Sequence, residues 1–333
     1  MAKIIFSCVL FCLIANHAYS DSVTRILDTG QGLATITKFS NGQVMLYDTG
    51  HWNSDDKYLS EVACFLGEDE KVIDLLILSH SDADHIAGTN ELFSKYLVKK
   101  VIRTGHARNS NTWVETNLAI NTATANKKTI DINLSNTKLK HGTTYSFGES
   151  KLTILSGFHK TPETWNITDK SELRNANSIV TRLSLENHSI LFTGDAVGRK
   201  DHNNHKKNDA LGTEKYLIDN KQARPIKSTV MIAPHHGSLD ASSFDFIKEV
   251  NPTYVIFSAG RGHGHPKNDT VLRYLESDIK KENIFRTDTE DNEGDGEWLR
   301  GSGDKSGDDS IDIVLNKVSP PNITYFNHQN NCT

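Results

Sequence analysis

Residues 76–88 constrain this chain more than any other stretch. An apolar run over residues 72–78 passes directly into four potential metal ligands, His80, Asp82, Asp84 and His85. Such a run suits a strand covered on both faces. In an extended backbone side chains alternate, so residues 80, 82 and 84 project the same way. His85 adds a fourth donor just ahead of a helix expected over residues 87–96. Two imidazoles and two carboxylates this close contribute little to a core, and a divalent cation gives them a reason to converge. The stretch calls for a layered fold whose buried strands end at a polar edge.

The surrounding chain alternates accordingly. Residues 22–50 read as three strands and two turns, with Asn41-Gly42 as a hairpin signal and Asp48-Thr-Gly50 closing the third strand. Taken alone, Asp48 reads as a turn or cap residue. Leu59, Val62, Ala63 and Leu66 give residues 55–66 a helical face, and residues 98–102 return as a strand. This β-α-β-α-β order indicates α/β layers. Residues 106–128, rich in Asn and Thr, read as an ill-defined connection. Short strands are expected at 129–132, 143–147 and 152–155, then an irregular loop over 157–174 that would rim a site. A second hairpin, 178–185 with 189–192, runs into Thr193-Gly-Asp195. A helix is expected over 213–222. The strand at 230–233 ends at Pro234-His-His-Gly-Ser238, and that at 254–257 ends at Ser258, with a helix over 242–249 between them. A loop holding His263 and His265 precedes a last helix over 269–281. The polar run 201–207 reads as a solvated loop, residues 287–309 as a flexible acidic loop, 311–315 as a closing strand and 319–333 as a tail.

At 333 residues the chain suits one large domain or two modest ones, and residues 21–318 read as one unit. The first twenty residues stand apart. Lys3 precedes an apolar run over 4–15, and Ala18 and Ser20 follow, the layout of a secretory signal peptide cleaved after Ser20. The run is shorter than the ~20 residues of a membrane span, so none is expected once it is removed; an uncleaved anchor is the alternative. A secreted or periplasmic protein is the expectation. Loss of Lys3 moves the formal net charge from −5 to −6, which excludes a broadly basic nucleic-acid coat. A polyanion would have to be met by a local cationic site, metal included. Cys64 and Cys332 stay in the mature chain, where an oxidising compartment could pair them. Nothing in the sequence marks an obligate protein partner.

Four apolar strands thus run out into polar residues: His80, Asp82, Asp84 and His85, then Asp195, then His235 and His236, then His265. In layered α/β folds sites gather where strands end. One such ending is an ordinary buried histidine or turn aspartate; their joint recurrence is not. The ordered motifs are Asp28-Thr-Gly-Gln-Gly32, Asp48-Thr-Gly50, His80-Ser-Asp-Ala-Asp-His-Ile-Ala-Gly88, Asn177-Ser-Ile-Val180, Phe192-Thr-Gly-Asp195, Pro234-His-His-Gly-Ser238 and Gly264-His-Pro266. With these the chain resembles the metallo-β-lactamase superfamily, in particular its ComEC-like branch, the extracellular or periplasmic metallohydrolase domain of a DNA-uptake protein. The resemblance covers residues 23–290 and does not extend to that protein's membrane segments.

The resemblance implies an αββα four-layer sandwich, two mixed β-sheets face to face with helices outside and metals along one edge. It implies a first divalent ion on His80 and Asp82 with Asn177 nearby, and a second on Asp84, His85 and one histidine of the 235–236 pair, His235 being favoured over His236, with Asp195 bridging. His236 would stand behind His235, and Asp48 would orient the ligands through hydrogen bonds. Ser238, Ser258 and His265 would line the substrate pocket, Asp84 and His265 being placed to assist catalysis. Zinc is the expected metal. Asp82 stands where histidine is commoner, which makes the first site oxygen-rich and manganese a competitor. Leu33 stands where the branch carries Asp. The implied activity is hydrolysis by a hydroxide shared between the ions, acting on nucleic acid or a small phosphodiester. A β-lactam or lactone hydrolase and a non-catalytic metal-binding protein are the alternatives.

Overall fold

The computed structural model describes residues 21–51, 55–67, 69–200, 209–260, 263–287 and 310–326. The expected signal peptide, the polar run 201–207, nearly all of the acidic loop and Cys332 lie outside the described residues. Strands β1 (Ser22–Ile26), β2 (Ala34–Lys38) and β3 (Val44–Thr49) form a meander. Helix α1 (Asp55–Leu66) and the two-residue strand β4 (Val72–Ile73) lead to β5 (Leu75–Leu78). Helices α2 (Ala83–Ile86) and α3 (Thr89–Lys95) follow, then β6 (Leu97–Val98), β7 (Lys100–Arg103), α4 (Asn111–Ala125) and β8 (Ile130–Asn133). Next come β9 (Thr144–Phe147), β10 (Ser150–Ile154), α5 (Lys170–Ala176), β11 (Thr181–Leu185) and β12 (His188–Phe192). Helix α6 (Gly212–Asp219) precedes an alternation of β13 (Val230–Ile232), α7 (Phe244–Val250), β14 (Tyr254–Phe257), α8 (Asn268–Glu276) and β15 (Ile284–Arg286). The chain then returns to the first sheet with β16 (Ser310–Leu315) and β17 (Asn322–Phe326).

One sheet has eight strands in the order β17-β16-β1-β2-β3-β5-β7-β8, the other seven in the order β15-β14-β13-β12-β11-β10-β9. Each changes from antiparallel to parallel partway across, at β3/β5 and at β12/β13. Of those four strands, β5, β12 and β13 run out into the candidate ligands and β3 ends at Asp48.

Alternation along the strands builds the layers. In β5, Leu75 and Ile77 face the core between the sheets, while Leu76 and Leu78 face α1, α3 and α4. In β13, Val230 and Ile232 face the inter-sheet core and Met231 packs with Phe246, Ile247 and Val271 of α7 and α8. Three stacked cores make four layers, helix, sheet, sheet, helix, as the resemblance implied. Burying a side chain such as Ile77 or Phe192 contributes about 2 kcal/mol. Leu33 belongs to the inter-sheet core, so an apolar residue suits that position.

Three expectations are corrected. The Asn- and Thr-rich connection contains a fifteen-residue helix, α4, capped where Ser110 Oγ accepts from Trp113 N at 3.2 Å. It buries Thr116 and Ile120 only, too sparse an apolar stripe for periodicity to reveal. The rim loop contains α5, capped by Asp169 Oδ1, which accepts from Ser171 N at 2.8 Å and Glu172 N at 2.9 Å. The tail contains β17, paired along β16 from Ser310↔Phe326 to Val314↔Asn322. It is an edge strand whose Ile323 and Tyr325 pack on the core, and its polar alternate positions hid it.

Candidate metal centre

Each ligand-bearing segment starts where a strand stops. β3 closes near Asp48, whose φ of 60° is uncommon and strained for a residue with a Cβ. The bend puts its carboxylate beneath the end of β5. There it accepts from Ser79 N and Ser79 Oγ, each at 2.7 Å, and from His85 Nδ1 at 2.7 Å. Because Ser79 Oγ donates to Asp48, its oxygen accepts the Nδ1 proton of His80 at 3.0 Å. β13 delivers His235 and His236, at φ 50° and 54°. His235 Nδ1 donates to Asp240 Oδ1 at 2.7 Å, and His236 Nδ1 to the carbonyl of Ser258 at 2.7 Å. All four imidazoles are therefore tied through Nδ1 to an oxygen and turn Nε2 inward.

What they face is Asp195. Two residues past the end of β12 stands Gly194, where a Cβ would lie 2.8 Å from that of Ser79, so glycine lets the two halves close here. Oδ1 of Asp195 lies 3.0 Å from His85 Nε2 and 3.5 Å from His236 Nε2. Oδ2 lies 3.6 Å from His80 Nε2 and 3.6 Å from His235 Nε2. One carboxylate thus meets an imidazole pair on each oxygen. Ligand atoms of Asp84, His85, Asp195 and His236 all fall within 4.8 Å of one another.

The charges follow from this crowding. Burial alone would raise the Asp195 carboxyl, but His85, His235, His236 and His80 outweigh it and hold it well below the usual carboxylate range. Burial likewise opposes charging of His85, yet Asp195 and Asp48 push it well above the usual imidazole value. His235 rises to about 10 against its burial, through Asp240 and Asp195. His80 and His236 are lowered, chiefly by burial. His265 falls to about 3 through burial and the neighbouring His236 and His235.

These residues fit a cation. His85 Nε2 and His236 Nε2 stand 3.1 Å apart with both Nδ1 atoms committed as donors, so two lone pairs face each other unless a proton or metal lies between. His80 Nε2 is buried and has no hydrogen-bond partner. Imidazole nitrogens and carboxylate oxygens are the donors that zinc and related divalent ions take.

The expected residues are not all brought together. His80, Asp84, His85 and Asp195 converge. Of the histidine pair, His236 joins Asp84, His85 and Asp195, whereas His235 faces the other oxygen with His80. Asp82 stands apart: its Oδ1 accepts from Arg174 Nε and lies 3.1 Å from Arg108 Nη1. Asn177 is buried off the cavity, and Asn175 lines it instead, with Nδ2 at 3.3 Å from His235 Nε2. Ser238 supports Asp240 through its side chain. Ser258 contributes its carbonyl to His236 while its hydroxyl donates to Gly32 O at 2.7 Å. His265 lines the cavity, its ring centre 6.0 Å from that of His235. Sequence reasoning missed Ser79, Asp240, Asn175, Arg108 and Arg174. Ser79 and Asp240 adjoin quoted motifs and were within reach; the arginines carried no local signal.

The cluster floors a cavity of about 780 Å³ whose wall also carries Arg108, Arg199 and Lys200. Among the described residues no helix is long and apolar enough to cross a membrane.

The family model of the metallo-beta-lactamase superfamily matches residues 27–261. Recombination protein 2 of Haemophilus influenzae is 26% identical over 260 residues, covering 78% of this chain and 27% of that protein. The uncharacterized protein YcaI of Escherichia coli is 24% identical over 252 residues, covering 75% of this chain and 27% of that one. The chain thus spans about a quarter of the length of these relatives, and the ComEC-like resemblance of its motifs holds. Among solved structures, the metallo-beta-lactamase fold protein YhfI of Bacillus subtilis is 12% identical, with 80% of this chain and 95% of that chain covered and a TM-score of 0.45. The diiron beta-hydroxylase CmlA of Streptomyces venezuelae is 12% identical, with 80% and 53% covered and a TM-score of 0.44.

Proposed function

This chain belongs to the metallo-β-lactamase superfamily, and from that premise we propose that it hydrolyses phosphodiesters, nucleic acid or smaller, with divalent ions that the imidazoles around Asp195 would hold. The observation that carries the reading is the pairing of imidazoles on both oxygens of that carboxylate. His80 and His235 would hold one ion, and Asp84, His85 and His236 the other. With Asp82 engaged by arginines, the oxygen-rich first site that favoured manganese loses its basis, and four imidazoles favour zinc. When bound, such a pair supplies an acidified water and neutralises charge on the phosphate.

The chain's own residues do the rest. Asp48, Ser79, Asp240 and the Ser258 carbonyl keep each imidazole in one tautomer, so no reorganisation precedes reaction. His265, neutral at pH 7, meets a substrate oxygen with an N–H hydrogen bond instead of a charge. Arg108, Arg199 and Lys200 line the wall among six carboxylates, and offer an anionic substrate cationic partners that an uncharged lactone does not need. The match to recombination protein 2 of H. influenzae supports a nucleic-acid context. Action outside the cytoplasm is part of the proposal: residues 1–20 have the layout of a signal peptide, and Cys64 is disulfide-bonded.

The test is a substrate panel on the purified protein with zinc or manganese: bis(p-nitrophenyl) phosphate, single-stranded DNA and a chromogenic β-lactam. Metal-dependent cleavage of the first two is expected. Turnover of the β-lactam alone would reject the phosphodiester reading, and a folded protein binding no metal would reject the hydrolase.

A further inference from the structure

Asp82 occupies a ligand position in the sequence and does other work in the fold. It comes from the loop after β5, Arg108 from the segment after β7, and Arg174 from α5. Three separate elements meet at one carboxylate oxygen. Two guanidiniums share one carboxylate oxygen, and without Asp82 the arginines would repel one another; the Asp169 carboxylate also acts on Arg174. Arg174 uses all three of its nitrogens within the protein: besides Nε on Asp82, its Nη1 donates to Lys170 O at 3.0 Å and its Nη2 to Ser171 Oγ at 3.1 Å. Arg108 differs. Its side chain is 32% exposed, lines the cavity beside Asp84, and meets Asp82 through Nη1. A guanidinium carries five N–H donors in a planar fork matched to phosphate, so Arg108 keeps donors for a ligand. Besides Asp82 and Asp84, four acidic residues line the cavity: Asp195 and Asp240 are engaged with the histidines, Asp169 caps α5, and Glu172 lies in the first turn of that helix.

We propose that Arg108, held in place by Asp82, binds a second phosphate of the substrate, the one adjoining the scissile phosphodiester. The preferred substrate is then a polynucleotide and not an isolated phosphodiester. This deepens the phosphodiesterase reading and rests on it. Asp82 immediately precedes α2 and Asp84 lies in the first turn of that helix, which puts the arginines on the wall next to the candidate metal cluster. A charge-assisted contact of this kind is worth about tenfold or more in affinity.

The experiment compares two dinucleotides on the metal-loaded protein: thymidylyl-thymidine, with one phosphate, and its 5′-phosphorylated form, with two. The wild type is expected to show a KM about tenfold lower for the second. Arg108→Ala should bring the ratio of the two KM values close to one, and Arg108→Lys should keep part of it. Asp82→Asn should lower the ratio while metal content matches the wild type; loss of a metal equivalent would overturn the assignment and return Asp82 to the ligand set. Equal KM values in the wild type, or an Arg108→Ala enzyme slower on both with its ratio intact, would overturn the subsite alone. Hydrolysis of neither dinucleotide would overturn the phosphodiesterase reading and the subsite with it.

Discussion

On one side of Asp195, Oδ1 stands 3.0 Å from His85 and 3.5 Å from His236; on the other, Oδ2 stands 3.6 Å from both His80 and His235. The two sides are made of like parts and differ in support. The Oδ1 side adds the Asp84 carboxylate, and its imidazoles are anchored to buried Asp48 and to a backbone carbonyl. The Oδ2 side gets no such carboxylate, because Asp82 is held by arginines. His235 there is partly exposed and leans on Asp240, itself at the cavity wall. On the proposed reading, a cation on the Oδ1 side would be held by more carboxylate and one on the Oδ2 side would be the weaker and more exchangeable. The lesson is that one carboxylate can face two like pairs of imidazoles without the two sides being equal.

The largest effect should come from removing what the two sides share. Asp195→Ala is expected to cut hydrolysis by on the order of a thousandfold or more and to lower the affinity of both ions. An activity loss under about tenfold would break the two-sided picture. Next, single deletions should separate the sides. His236→Ala should remove the tight binding step from a zinc titration, and His235→Ala only the weak one; identical isotherms from the two variants would contradict the inequality.

Proton release gives a smaller, sharper reading. His85 lies well above the usual imidazole range and His235 at about 10, so both carry a proton at pH 7 in the metal-free protein. A ligating nitrogen must lose it, so filling both sides should expel about two protons, and affinity should rise with pH. Calorimetry in buffers of different ionisation enthalpy measures this. His235→Ala should remove one proton from the count.

The smallest effect concerns support for the Oδ2 side. Glu214 on α6 is buried, and its carboxylate accepts from Ser242 N at 2.5 Å, Ser243 N at 2.9 Å and Ser243 Oγ at 2.6 Å. Those serines follow Asp240, whose carbonyl accepts from Gly198 N at 2.9 Å and Arg199 N at 2.8 Å. Burial raises Glu214 from 4.5 to about 7, with the hydrogen bonds opposing. A raised carboxyl contributes stability fully below its unfolded value and loses it as pH climbs through the folded one. Stability should therefore fall between pH 4.5 and 7, by on the order of 3 kcal/mol from this group. Glu214→Gln should flatten that slope in thermal melts, and an unchanged slope would remove Glu214 from the account.

Much of this was legible in the chain itself. The buried strands announce themselves through local apolar runs, and their abrupt ends mark Asp84, His85, Asp195 and the 235–236 pair, because strand periodicity depends only on near neighbours. Helix α4 escaped because two buried residues make too thin a stripe, and β17 because an edge strand needs only one apolar face.

What the sequence determined by itself, then, is the layered fold and the gathering of imidazoles and carboxylates at one edge. Three things were decided only in the tertiary structure: which histidine of the pair faces which oxygen, that Asp82 leaves the cluster, and that Asn175 stands where Asn177 was expected. The reason is physical. The ring directions at His235 and His236 follow from two consecutive positive φ angles and from acceptors at Asp240 and Ser258. Asp82 is claimed by Arg174, 92 residues away, and by Arg108. Hydrophobic period is written locally, whereas a polar side chain goes to whichever partner the closed fold places beside it.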